Sequence, residues 1–277
     1  LTFKELFKIK LFNQDHYHFI GIGGIGMSGI ALVLLRKGLS VSGSDIAKND
    51  RLAEIANNGG IVFHSQKPQN IDQIKKKFNN KNITIVISSA INNKNKELNY
   101  CIEHRLKIKH RSEILSFIMK SFKSIAIAGS HGKTSTSTLL TTLLDLCTKN
   151  TSSIVGGILP QHDSNILIKD SKYLIAEIDE SDGTTCKYTP YLGIINNIDF
   201  DHCDYYSSIE ELISSFTEFG SNSKILLTND DCEISKENIT SDFRWSIKKT
   251  SNVDFAMISK KFEPEYTIAE YYEKGKA

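Results

Sequence analysis

The 277-residue chain carries almost no surplus of either charge: 34 basic against 32 acidic side chains leave a formal net charge of +2. Without an excess positive field it lacks the attraction on which sequence-independent nucleic-acid binding rests, so no nucleic-acid partner is expected. The basic runs Lys75-Lys-Lys77 and Lys248-Lys249 read as solvated surface. No run of 18 apolar residues occurs and no charged-then-apolar leader opens the sequence, so neither a membrane span nor a secretory signal is expected. The five cysteines (Cys101, Cys147, Cys186, Cys203, Cys232) form no C-x-x-C pair, and an odd number cannot all pair within one chain. A reducing, cytoplasmic setting is the expectation. Repeats and low-complexity segments are also missing. What is there is the composition of an ordinary globular protein, 40% hydrophobic and 24% charged with mean hydropathy -0.24, at a length that suits two domains.

The order of elements points to an α/β fold. Residues Tyr17 to Ile22 read as a strand, followed by a glycine loop and by a helix from Met27 to Arg36 closed by Gly38. Further strands are expected at Val41 to Asp45, Gly60 to Phe63 and Ile83 to Ser89, with a helix at Arg51 to Asn58 between the first two. The last strand is a continuous β-branched run, as strands buried on both faces tend to be. Such alternation implies a doubly wound parallel sheet with ligands outside the carboxyl ends of its strands. After a helix near Glu113 to Lys120, Ser124 to Ala128 opens a second strand-loop-helix unit, and strands are expected again at Tyr173 to Glu177 and Leu192 to Ile198. The expected division is 1–122, a Rossmann-like N-terminal domain, and 123–277, a P-loop-type α/β ATPase domain cut short near Ala277.

Each half carries a glycine-rich turn suited to phosphate. In "HFIGIGGIGMSGIALVLL", Gly21-x-Gly23-x-x-Gly26 lies between strand and helix, and Asp45 ends the next strand. The glycines let backbone N–H groups approach a diphosphate at a helix N-terminus. Taken alone, this turn suggests a nicotinamide-dependent oxidoreductase; a turn that serves only helix-sheet packing is the other reading.

The second turn, in "AIAGSHGKTSTSTLL", departs from G-x-x-x-x-G-K-[ST] because Ile127 stands where the first glycine would be. Its working parts remain: backbone N–H groups from Gly129 through Ser130, His131 and Gly132 to Lys133 can form an anion nest. Lys133 can reach the β and γ phosphates, and Thr134 or Ser135 can place a hydroxyl on Mg²⁺. Two acidic stretches follow later strands, Glu177-Ile-Asp-Glu180-Ser-Asp182 and Asn196-Asn-Ile-Asp-Phe-Asp201-His202. Placed at one sheet edge with the loop they make an ATP site. Hydride transfer has no need of ATP, so two phosphate cradles imply two phosphorylated ligands.

The segments "HFIGIGGIGMSGIA", "VSGSD", "VISSAI", "GSHGKTSTSTLL", "AEIDESD" and "NNIDFDHCDYY" resemble, in order and spacing, those of the Mur ligases across residues 18 to about 206. The resemblance implies an ATP-dependent amide ligase of peptidoglycan synthesis that joins L-alanine to UDP-N-acetylmuramate. It implies that Gly21, Gly23, Gly24, Gly26, Met27 and Ser28 contact the UDP diphosphate, with Ser44, Asp45, Ser88, Ser89 and Ala90 bordering uridine and sugar. It also implies ATP phosphates on Lys133, Mg²⁺ on Thr134 and Glu177, and His202 in the metal site. Glu180 is the other metal carboxylate, and the sequence does not rank the two. The implied chemistry is attack of the substrate carboxylate on the γ-phosphate of ATP, then of the alanine amine on the acyl phosphate.

Departures accompany the resemblance. Ser130 stands where the family usually has threonine, and Gly183-Thr184-Thr185 replace a small residue, Ser and Phe. Nothing in the sequence corresponds to the family's C-terminal domain, so the expectation is a chain that binds UDP-sugar, binds ATP weakly and does not complete the ligation alone. A sister ligase that recycles a tripeptide onto the same UDP-sugar, and a non-catalytic UDP-sugar-binding remnant, remain open. Oligomeric state is not legible.

Overall fold

A computed structural model describes residues 15–79, 82–148, 150–200 and 205–276. The chain divides into two compact units, residues 1–122 with 140–174, and residues 123–139 with 175–277. The segment 140–174 thus packs with the first unit, a grouping that no linear boundary expresses.

The first unit holds a sheet of five strands, β1 (Asp15–Ile20), β2 (Ser40–Ser44), β3 (Ile61–Phe63), β4 (Asn82–Ile87) and β5 (Lys107–His110), in the order β3-β2-β1-β4-β5. Every pairing in it is parallel, as the alternation of strands and helices predicts. The crossovers are α1 (Ile25–Arg36), α2 (Asp50–Asn57), α3 (Pro68–Lys77) and α4 (Lys96–Glu103), and α5 (Arg111–Met119) follows β5. Local chemistry sets their starts. Asn49 and Asn95 accept from the backbone N–H of Leu52 and Leu98, Pro68 opens α3 where its missing N–H costs nothing, and His110 with Glu113 forms a capping box on α5.

One face of this sheet packs Ile20, Ile85, Ile71, Ile74, Leu98 and Cys101 into a core with α3 and α4. Burying each such aliphatic side chain contributes about 1.5–3 kcal/mol. Helix α1 is apolar nearly all round and correspondingly buried from Met27 to Leu34. It is covered in part by the antiparallel pair β7 (Ser152–Leu159) and β8 (Ser164–Leu167), whose Ile154 and Ile166 side chains lie over Gly29.

In the second unit the strand order is β14-β13-β12-β11-β10-β6-β9, with β6 (Lys123–Ala128), β9 (Tyr173–Glu177), β10 (Leu192–Ile195), β11 (Ile225–Asn229), β12 (Phe243–Ser246), β13 (Phe255–Phe262) and β14 (Thr267–Glu273). The pairs β6·β10, β10·β11, β11·β12 and β12·β13 are parallel, and β14 closes the edge antiparallel to β13. Helix α6 (Lys133–Thr148) begins at the second glycine turn, and α7 (Ile209–Asn222) and α8 (Glu233–Asn238) follow β10 and β11. The strand expected through Ile198 stops at Ile195, because the residues beyond it turn away to brace the glycine loop. Among the described residues no helix is long and apolar enough to cross a membrane, and Cys101, Cys147, Cys186 and Cys232 are free thiols.

Candidate functional site

The first glycine turn lies where the strand order reverses, at the carboxyl ends of β1 and β4, the place where doubly wound sheets bind ligands. A cleft of about 570 Å³ opens there, lined by Gly21, Gly23, Gly24, Met27 and Asp45 on one side and Ser88, Ala90 and Ile91 on the other. Asp45 is nearly buried, and its carboxylate accepts from the N–H groups of Gly23 (2.7 Å) and Ala47 (2.9 Å). The acidic residue that fingerprint reasoning directs at a ribose is thus bonded, in this state, to the glycine turn itself.

Of the other residues expected here, Gly26, Ser28, Ser44 and Ser89 do not line the cleft. Ser28 is buried with its hydroxyl donating to the Ile25 carbonyl within α1, and Ser44 is buried with its hydroxyl donating to Glu97. Ser89 Oγ lies 3.1 Å from His110 Nε2. Conversely, sequence reasoning missed two cations and several amides on the lining, Arg51, Lys94, Asn49, Gln66 and Asn95. Arg51 donates from Nε to the Gly23 carbonyl at 2.7 Å, so its charge sits beside the turn. The available signal was a basic residue at the start of the helix after Asp45, on the same sheet edge.

The second glycine turn leaves β6 between two neighbours. On one side Ala128 pairs with Ile195 of β10; on the other Ile178 N–H donates to Ile127 O, which brings the 177–182 stretch alongside. Both acidic stretches therefore flank the loop, as their positions after strands imply. Gly129 adopts φ +135°, and a Cβ there would stand 3.0 Å from the Asn197 carbonyl oxygen, so only glycine fits.

Lys133 curls back over its own loop. Its ammonium donates to the carbonyls of Gly129 (2.7 Å) and Ser130 (3.2 Å) and pairs with Glu180 at 2.8 Å. The pair is largely withdrawn from water, with 14% and 7% side-chain exposure. Burial pushes the Glu180 carboxyl above its usual range, an effect the Lys133 ammonium offsets only in part.

Thr134 donates from Oγ1 to Glu177 at 2.9 Å, while Ser135 is exposed. This hydroxyl–carboxylate pair is the all-oxygen donor chemistry that Mg²⁺ takes. Among the described residues no three of His, Cys, Asp or Glu gather into a metal cluster, so an ion here would complete its shell with phosphate oxygens and water. His202 and Asp201 lie outside the described residues.

Asn197, expected in a metal–phosphate cluster, instead braces the loop: its carbonyl accepts from Ser130 N–H and its side chain from His131 N–H at 2.8 Å. Asn196 donates to Thr136 at 3.0 Å, and Ser130 Oγ donates to the Asp199 carbonyl at 2.9 Å. The small hydroxyl side chain at 130 thus fills a structural slot. His131 is exposed, 3.3 Å from the Asp199 carboxylate. The signal for the brace was an Asn-Asn doublet at a strand end, where side-chain amides can satisfy a neighbouring loop.

The chain is 54% identical over 267 residues to a UDP-N-acetylmuramate–L-alanine ligase of Prochlorococcus marinus subsp. pastoris, a match covering 96% of this chain and 56% of that protein. A protein of the same name from Synechococcus sp. (strain CC9605) is 40% identical over 262 residues, 95% of this chain and 56% of its own. The chain therefore spans about half the length of the curated relatives it matches. In fold it is similar to the UDP-N-acetylmuramate–alanine ligase of Thermotoga maritima, with TM-score 0.81 and 24% identity over 94% of this chain and 58% of that one. A UDP-N-acetylmuramate:L-alanyl-gamma-D-glutamyl-meso-diaminopimelate ligase from Neisseria meningitides gives TM-score 0.81 at 18% identity, covering 94% and 85%. Residues 16–123 match the Mur ligase family catalytic domain and residues 127–274 the Mur ligase middle domain. Matched over residues 16–123 and then 127–274, the chain belongs to the Mur ligase family.

Proposed function

We propose that this chain carries the sugar-nucleotide and ATP sites of an ATP-dependent amide ligase that joins L-alanine to UDP-N-acetylmuramate in peptidoglycan synthesis. The observation that supports it best is the second glycine turn, where Lys133 and Thr134 meet Glu180 and Glu177 at 2.8 and 2.9 Å. A dinucleotide oxidoreductase has no use for that arrangement. The relatives named for alanine addition favour this reading over tripeptide recycling.

In this reading the cleft beside Gly21, Gly23 and Gly24 takes the UDP-sugar, with Arg51 and Lys94 offsetting the diphosphate charge. The second turn takes ATP. Lys133 exchanges its loop carbonyls for phosphate oxygens, and Thr134 with Glu177 holds Mg²⁺, which supplies charge neutralisation when bound. The sugar carboxylate attacks the γ-phosphorus of ATP, giving an acyl phosphate and releasing ADP. The alanine amine then attacks the acyl carbon, forming the amide, expelling inorganic phosphate and losing a proton. His202 is assigned to the metal site and the cytoplasm is the assigned setting, with residues 1–122 and 123–277 as the functional division.

Lys133→Ala tests the assignment. Calorimetric titration is expected to show ATP binding lost in the variant and UDP-N-acetylmuramate affinity within about twofold of wild type, because the two turns recognise their phosphates separately. ATP binding that survives the substitution, or joint loss of both ligands from a folded variant, would overturn it.

A further inference from the structure

Behind the first cleft runs a chain of buried polar side chains that phosphate recognition does not explain. Glu97, in the first turn of α4, is fully buried, and three donors converge on its carboxylate. His18 Nε2 lies 3.0 Å and Asn70 Nδ2 2.9 Å from Oε1, and Ser44 donates to Oε2 at 2.5 Å. Beyond His18 the line continues through Ser42 to His16 and Ser40: His18 Nδ1 to Ser42 Oγ 2.8 Å, Ser42 Oγ to His16 Nε2 2.7 Å, and His16 Nδ1 to Ser40 Oγ 2.8 Å.

The partners of Glu97 each hold a different part of the cleft. Ser44 precedes Asp45, and its carbonyl accepts the N–H groups of Gly21 and Ile22. Asn70 also donates to the Ser65 carbonyl, next to the lining residue Gln66. Glu97 itself follows Asn95, the cap of α4, whose side chain donates to Gln66 at 2.7 Å. One carboxylate therefore ties the glycine turn, the Gln66 loop and the start of α4 together.

The proton order follows from the same geometry. A carboxylate with three donors only accepts, so His18 carries its proton on Nε2. With both rings neutral, His18 Nδ1 must then accept from the Ser42 hydroxyl. Ser42 has no second proton, so His16 donates to it from Nε2 and accepts at Nδ1 from Ser40. Every bond along the line is satisfied in this one direction.

We infer that Glu97 is a positioning residue for the sugar-nucleotide cleft, holding its walls in register through a one-way hydrogen-bond line that sets both His16 and His18 as Nε2–H tautomers. This rests on the sugar-nucleotide reading of the cleft. In Glu97→Gln the amide oxygen can still accept from His18 and Asn70, and the NH2 then takes the place of the oxygen that Ser44 bonds, so the Ser44 hydroxyl must accept and its bond to a charged group is lost.

The test pairs ¹⁵N NMR of the histidine side chains with calorimetric titration of UDP, on the 277-residue chain. The wild type is expected to show His16 and His18 as Nε2–H tautomers, and Glu97→Gln, whose amide oxygen can take the place of Oε1, to keep both. UDP affinity is expected to fall about tenfold in Glu97→Gln and in Ser44→Ala, the scale of one lost hydrogen bond to a charged group. Should Glu97→Gln not fold, Ser44→Ala carries the affinity arm and the wild-type spectrum the tautomer arm. A wild-type His18 protonated on Nδ1, or UDP affinity within twofold of wild type in the folded variants, would overturn the inference. A wild-type chain that does not bind UDP would remove the sugar-nucleotide reading and the positioning role with it, while the spectra would still decide whether the line exists.

Discussion

Replacing Lys133 by methionine keeps the stem and removes the charge that Glu180 faces, so its cost follows from the environment of that carboxylate. Glu180 is 7% exposed and Lys133 14%, which makes the pair a buried one rather than a screened surface contact. Stranding one member of such a pair costs about 3–5 kcal/mol. The lower end applies here, because the orphaned carboxyl can take up a proton. About 3 kcal/mol corresponds to a drop of about 6–12 °C in the melting temperature of a unit this size. The pH dependence has a definite sign. The folded-state pKa of Glu180 is raised, chiefly by burial, so above the ordinary carboxylate range the folded state holds its proton more tightly than the unfolded chain does. Stability then falls as pH rises from the unfolded pKa toward the folded one and recovers as pH is lowered through that window. Without Lys133 the folded pKa rises further, and the deficit of Lys133→Met relative to wild type should be smaller at pH 5 than at pH 7. Thermal unfolding followed by circular dichroism at the two pH values measures this, and Lys133→Met/Glu180→Gln should regain at least about half of the loss, since no charge is then stranded. A variant within about 0.5 kcal/mol of wild type at pH 7, or a deficit that grows at pH 5, would refute the reasoning.

Two further outcomes are expected. Gly183 has φ +65°, and a Cβ there would lie 2.0 Å from the Tyr205 ring; Gly183→Ala should cost about 2 kcal/mol in urea unfolding, and in a Tyr205→Ala background only the backbone part, about 1 kcal/mol, should remain, so additive costs would contradict the packing account. Arg51→Ala should weaken UDP binding about tenfold at low salt and flatten its salt dependence, and calorimetry at two ionic strengths that finds affinity unchanged would remove Arg51 from the diphosphate site.

The elements whose causes are local were the legible ones. Tyr173 to Glu177 reads as a strand from its own side chains and is one to the residue, and both glycine turns announce themselves by spacing between a strand and a helix. What stayed hidden depends on distant partners. Glu97 gains its meaning from Ser44 and His18, 53 and 79 residues away, and no periodicity links them. The end of β10 escapes a reading of its own residues because Asn196 and Asn197 satisfy the backbone of a loop more than sixty residues earlier, a demand invisible from their neighbourhood. The packing of β7 and β8 on α1 is equally non-local: Asn165 donates to the Ile25 carbonyl across 140 residues. Polar residues thus proved harder to place than apolar ones, since a strand pattern repeats while a hydrogen-bond partner need not.

The bond from Gly23 N–H to Asp45 has a consequence for how the first cleft is filled. The turn comes with a tethered anion of its own, so its shape does not wait for a ligand. On the sugar-nucleotide reading proposed above, an arriving diphosphate would meet a backbone already ordered, and binding would become an exchange of one acceptor for another rather than the freezing of a mobile loop. The same tether biases selection: a ligand with a further phosphate near that carboxylate would meet like charge, whereas one presenting hydroxyls could donate to it.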